Sequence, residues 1–138
     1  MPDINSDPRQ EHPNAGVVRQ LYSAFAQGDL KTARDCFADD AVWHVPGRSP
    51  LAGDHRGWEE IGDYLRKLVE LGRGTLRAEL TDVLANDQYA VALQHTTARR
   101  GSKGLDVTAC QVVRIRDGRI LEMQGYYSDQ YGIDDFFS

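Results

Sequence analysis

The features this chain lacks narrow its role before any motif is considered. No apolar stretch approaches the roughly 18 residues a membrane helix needs, so no spanning segment is expected. Basic runs are missing too: 16 Lys and Arg stand against 21 Asp and Glu, for a net charge of −5. A nucleic-acid binder needs clustered cations to displace counterions from phosphates, so that class is set aside. Two cysteines, Cys36 and Cys110, are too few for a disulfide framework and read as buried free thiols. The opening MPDINSDPRQEHP lacks the basic-then-apolar order of a secretion signal, which makes a cytoplasmic protein the expectation.

Common catalytic signatures are absent as well. The histidines at 12, 44, 55 and 95 have no HxxxH-type pairing, so no metal site is expected. The chain contains no P-loop, no GxGxxG and no GxSxG, leaving no recognisable nucleotide cradle or serine nucleophile. Arg99, Arg100 and Lys103 form a small basic cluster at a predicted hairpin tip, which reads as a solvated turn.

What remains is an ordinary globular composition: 138 residues, 41% hydrophobic and 27% charged, enough for one domain with a real core. Residues 1–13 are polar and proline-bearing and read as a flexible arm, with a single domain over 14–138. Asn14 is placed to cap a helix whose stripe is Val17, Val18, Leu21 and Phe25, stopped by Gly28. Asp29 caps a second, short helix that Asp39-Asp40 ends. Ala41–Val45 alternates as a strand, broken by Pro46-Gly47, and GRSPLAGDHRG reads as a loop. Trp58–Leu71 is a third helix, with Glu59 and Glu60 favoured by its dipole and a buried stripe of Ile61, Tyr64, Leu65 and Leu68.

The period then changes from about 3.6 to 2. Strands are predicted over Leu76–Ala85, Tyr89–Arg99, Leu105–Ile115 and Ile120–Ser128, joined by turns at Asn86-Asp87, Gly101–Gly104 and Asp117-Gly118. Three helices followed by antiparallel strands indicate an α+β fold with helices packed on one sheet face.

Four strings, LYSAFAQGDL, CFADDAVWHVPG, PLAGDHRGWEEI and VVRIRDGRILEMQGYYSD, resemble the NTF2-like superfamily over roughly residues 14–131. Within it the chain looks most like the SnoaL-like polyketide cyclases and ketosteroid isomerases. The resemblance implies a cone: a strongly curved antiparallel sheet wrapped on three N-terminal helices around an apolar pocket. It also implies a homodimer through the outer sheet face.

Matching the strands to the isomerase pattern sets the side-chain phase. Leu121, Met123, Gly125, Tyr127 and Asp129 then point inward, with Gln111 and Val113 beside them. Val91, Leu93, His95 and Thr97 are also assigned inward. The outer face is assigned Ala92, Ala98, Val107 and Ala109, among Gln94, Thr96 and Tyr126. The first half adds Tyr22, Trp43, Val45, His55, Trp58 and Leu65 to the pocket. The isomerase base position corresponds to Val45 and its oxyanion acid to Gln111, so ketosteroid isomerase activity is not expected. An epoxide hydrolase of the superfamily would need an inward Arg that the phase does not supply.

The SnoaL-like cyclases work without metal or cofactor through an Asp and His pair. The resemblance therefore nominates Asp129 and His95 as an acid/base pair and Gln111 as an oxyanion donor, acting on a small hydrophobic carbonyl compound. A non-catalytic ligand-binding or association module is the alternative.

Overall fold

The computed structural model describes residues 11–138. The expected arm lies outside the described residues except for 11–13, which are engaged. Pro13 opens α1 (Pro13–Ala26) at a position where its missing N–H is no loss. The cap is His12, not Asn14: His12 Nδ1 accepts from the Asn14 backbone N–H at 3.1 Å. Asn14 is buried instead, and its Nδ2 donates to the Asn86 carbonyl at 2.9 Å. Asp29 caps α2 (Leu30–Asp35) as expected, accepting from Thr32 N–H at 3.1 Å.

β1 runs over Phe37–Val45 and β2 over Gly53–Arg56. Then come α3 (Gly57–Leu71), β3 (Arg77–Ala85), β4 (Tyr89–Arg100), β5 (Lys103–Arg116), β6 (Arg119–Tyr127) and α4 (Gln130–Phe137). Three boundaries depart from the sequence reading. β1 begins four residues early, because Phe37 faces the core and pairs with Ile120. Four residues of the predicted loop are β2, whose Gly53–Arg56 zips antiparallel onto Val42–Val45. The fourth helix was not foreseen.

The six strands form one curved, unclosed sheet in the order β2-β1-β6-β5-β4-β3. Every neighbour is antiparallel except β1 with β6, which run parallel. The Asp117-Gly118 turn carries φ of 53° and 75°, the two left-handed positions a tight hairpin needs. On the inner face α1 packs on β3 and β4, α3 on β1 and β2, and α4 on β5 and β6. Val18, Ile61, Val113, Ile120, Met123 and Phe136 are the largest fully buried side chains. Each contributes roughly 1.5–3 kcal/mol by leaving water.

The phase of β4 is the reverse of that expected. Ala90, Ala92, Gln94, Thr96 and Ala98 are buried, whereas Val91, Leu93, His95 and Thr97 alternate with them on the outer face. Only small or slender side chains fit beneath α1, so the bulkier residues of β4 turn outward. Of the residues assigned to the outer face, Val107 and Ala109 of β5 are likewise inside, whereas Tyr126, and Cys110 and Arg114, which the same phase turns outward, alternate with the buried positions. On β6 a bulge opposite Arg114/Ile115 lets both Ile120 and Met123 face inward and displaces Leu121 from the expected alternation.

The outer face of β1, β2 and β6 carries an ionic chain. His44 Nδ1 meets Asp54 Oδ1 at 2.7 Å, and its Nε2 meets Glu122 Oε2 at 2.7 Å. Arg114 lies 3.6 Å from Glu122, and Arg56 lies 3.5 Å from Asp54. The bond to Asp54, then that to Glu122, raises the His44 pKa above its ordinary value, while the same imidazole lowers that of Asp54. A raised folded-state pKa stabilises the fold fully below the unfolded value of about 6.5 and stops doing so as pH rises through the folded value. Denaturant midpoints should therefore show His44→Gln less stable than the parent protein at pH 6 and nearly equal to it at pH 9. A deficit that does not shrink with pH would contradict this.

Candidate ligand site

The helices do not fill the concave side of the sheet. Two adjoining cavities of about 60 Å³ each remain, sharing Phe25, Tyr64, Leu68, Ala78, Gln94 and Tyr127 in their walls. A water needs roughly 10–15 Å³ on this measure, so each holds a handful of non-hydrogen atoms. One compartment is closed by Val45, Ser49, Leu51, Leu76 and Thr96, with Ile133 and Phe137 contributed by α4. The other is completed by Tyr22, Trp43, Leu65 and Gln111.

Each wall side chain is delivered by a local rule. Tyr22 and Phe25 lie three apart on α1, and Tyr64, Leu65 and Leu68 share a stripe of α3. Gln94 and Thr96 alternate along β4, as do Gly125 and Tyr127 along β6. Trp43 pairs with Met123 across the parallel β1–β6 ladder and packs edge-on to Tyr64, with centroids 5.1 Å apart.

The polar atoms of the wall are neutral and mostly paired. The Tyr22 hydroxyl donates to Gln94 Oε1, and Gln94 Nε2 donates to Thr96 Oγ1 at 2.8 Å. Gln111 Nε2 donates to the Tyr127 hydroxyl at 3.4 Å. Burial, the largest cause in each case, raises the pKa of Tyr22, Tyr64 and Tyr127. Ionising any of them would place an uncompensated charge in an apolar cavity. They are therefore protonated donors across the physiological range. Among the described residues, no carboxylate, imidazole or cation lines either compartment.

The sequence-nominated residues divide accordingly. Tyr22, Trp43, Val45, Leu65, Gln111 and Tyr127 come together around the void. Val113 and Met123 are inward but lie wholly within the core. Trp58 folds back over Gly62 of its own helix and packs near Phe37, with centroids 6.1 Å apart, so it lies half-buried against the core and off the wall. His55 stacks on the outer side of the Tyr64 ring at 4.8 Å. Its Nε2 lies 2.8 Å from the Leu51 carbonyl, which can only accept, so that nitrogen carries the proton.

The expected acid/base pair is not assembled. His95 is on the outer face with Leu93, where its Nε2 contacts Asp106 Oδ1 at 2.5 Å. Asp129 is exposed and caps α4, its Oδ1 accepting from Gly132 N–H at 2.9 Å. A side chain at 132 would collide with that carboxylate, since a Cβ there would lie 2.5 Å from Oδ2. The other end of α4 is held by the cluster that read as a solvated turn. Arg100 Nη1 donates to the Phe136 and Ser138 carbonyls at 3.0 and 2.9 Å, and Lys103 Nζ donates to that of Asp135 at 2.8 Å.

Sequence reasoning missed Gln94 and Thr96 because the β4 phase was inverted, and Ile133 and Phe137 because α4 was not foreseen. The signal for α4 was present: an Asp cap followed by Ile133, Phe136 and Phe137 at helical spacing. Cys36, the more buried thiol, has its pKa pushed up to about 11 by burial, which makes it a poor nucleophile.

With this geometry in place, comparison with known proteins gives a consistent result. Residues 18–123 match the family model described as SnoaL-like domain. The Mycobacterium tuberculosis protein Rv0034, itself uncharacterized, is 34% identical over 123 residues, covering 88% of this chain and 94% of that protein. The structure of Bal32a, from a soil-derived mobile gene cassette, superposes with a TM-score of 0.87 at 38% identity, covering 91% of this chain and 97% of Bal32a. A protein of unknown function with a cystatin-like fold from Xanthomonas campestris superposes with a TM-score of 0.82 at 26% identity, over 91% and 98% of the two chains. The chain belongs to the SnoaL-like domain family.

The capping role of Asp129 is separable from chemistry. Asp129→Ala should lower stability by about 1 kcal/mol, a fall in Tm of about 4 °C, while Asp129→Asn keeps most of the cap. Equal thermal melts for the parent and the alanine variant would contradict the assignment.

Proposed function

We propose that this protein binds a small, largely apolar molecule bearing oxygen functions in the cavity between the inner sheet face and α1, α3 and α4. Tyr22, Trp43, Val45, Leu65, Gln111 and Tyr127 are its proposed contacts. The observation that carries this reading is the composition of the wall. Broad aromatic and aliphatic surface surrounds a few neutral hydroxyl and amide groups, the pattern of a small-molecule site. A charged ligand would enter without a partner for its charge, which disfavours it strongly.

A catalytic reading has one observation in its favour. Three tyrosyl hydroxyls are held protonated by burial and are suited to receive charge developing on a carbonyl oxygen. Cofactor-free isomerisation, cyclisation or dehydration also needs a base, and the cavity wall supplies none. The imidazole packed behind Tyr64, His55, is the candidate.

Pairing of two copies through the outer sheet face is also proposed. Leu84, Tyr89, Leu93 and Tyr126 are large hydrophobics exposed on outward strand positions. Sedimentation should find a dimer that Leu93→Glu with Tyr126→Glu converts to monomer; a monomeric parent protein would contradict the proposal.

Titration with 4-methylacetophenone, followed by amide and aromatic NMR, tests the binding reading. Shifts should cluster at the wall residues. Ala78→Phe, which puts a ring into both compartments, should abolish them while leaving the rest of the spectrum folded. Shifts confined to the outer sheet face, or retained in Ala78→Phe, would contradict cavity binding. In deuterium oxide the same sample reports on catalysis: protein-dependent exchange of the methyl protons beside the carbonyl, lost in His55→Asn, would support the catalytic reading over binding alone.

A further inference from the structure

The two glutamines of the cavity wall are not in the same state. Gln94 is saturated: its carbonyl takes the Tyr22 hydroxyl and its amide donates to Thr96. Gln111 is only 2% exposed, its amide nitrogen is used by Tyr127, and its Oε1 has no hydrogen-bond partner in the protein. Buried carbonyl oxygens are nearly always met by a donor, so an orphan on a cavity wall points to what occupies the cavity.

The side chain is also built into position. Gln111 pairs with Ala92 on one side and Gly125 on the other, both too small to cover it. The amide lies flat over Gly125: a Cβ there would sit 3.1 Å from Gln111 Nε2, 3.2 Å from its Oε1 and 3.1 Å from Tyr127 Cε2. Gly125 thus permits a close approach that a side chain at 125 would press back by a few tenths of an ångström.

An amide oxygen accepts and cannot donate, unlike the tyrosyl and threonyl hydroxyls around it. It therefore selects for a donor on the ligand. An ammonium donor would need a counter-charge, and the wall offers none. A neutral hydroxyl fits. The adjoining Trp43 and Tyr22 rings offer flat surface to a planar cyclic body.

Resting on the binding function proposed above, we propose that Gln111 Oε1 is a specificity-determining acceptor for a hydroxyl on a planar, uncharged ligand of the phenol or enol class.

The test uses an isosteric pair, 4-methylphenol and 1,4-dimethylbenzene, in which a methyl group replaces the hydroxyl. Dissociation constants for both are measured by NMR titration on the parent protein and on Gln111→Met, which keeps the length of the side chain and removes the carbonyl. The ratio of phenol to hydrocarbon affinity should be about tenfold or more higher in the parent protein than in the variant. In the parent protein alone, the Gln111 side-chain amide resonances should shift with the phenol and not with the hydrocarbon, a readout that stands if the variant does not fold. An unchanged ratio, or amide resonances that respond alike to both compounds, overturns the inference and leaves cavity binding intact; that is the outcome if only water meets Oε1. Binding of neither compound overturns the binding reading and this inference together.

Discussion

The fit between α1 and the inner face of β4 is the contact on which the cavity depends. β4 presents Ala90, Ala92 and Ala98 inward, with Gln94 and Thr96 between them. These short or slender side chains let α1 approach the sheet, yet they do not reach far enough to fill the curve beneath α3 and α4. A close-packed interior has few voids larger than a water, so the space that remains is a feature of these residue choices. Gly125, across β5 from Ala92, extends the same rule and gives the Gln111 amide somewhere to lie.

The electrostatics follow the same division of the sheet into two faces. Inside, the hydroxyls and amides pair with one another without charge, Gln111 Oε1 excepted, and burial keeps the three tyrosines protonated. Outside, His44, Asp54, Glu122 and Arg114 form a charged chain, and His95 meets Asp106. A low-dielectric cavity penalises unpaired ions far more than a solvated sheet surface does. Among the described residues, the carboxylates, imidazoles and cations therefore lie off the cavity wall, and the cavity is left to hydrogen bonding and shape.

Much of the architecture was legible in the sequence, because it is written in local signals. The stripe of α3, the Asp29 cap and the Asp117-Gly118 turn each depend on a few adjacent residues, and each is found as read. The family resemblance carried the overall fold. The site was legible only where phase was preserved. Gln111, Tyr127 and Trp43 lie on the expected face, whereas His95 does not, since packing under α1 reversed β4. Asp129 fell two residues beyond the end of β6, at a helix start where its carboxylate is used on Gly132 N–H. Bulges and close packing are tertiary facts that alternation alone does not carry.

Xenon pressurisation of a crystal tests the central claim most directly, because xenon reports enclosed apolar space without needing a matched ligand. The account predicts anomalous density among Phe25, Tyr64 and Leu68, where the two compartments join. Xenon found only in grooves of the outer sheet face, or nowhere in the protein, would contradict it.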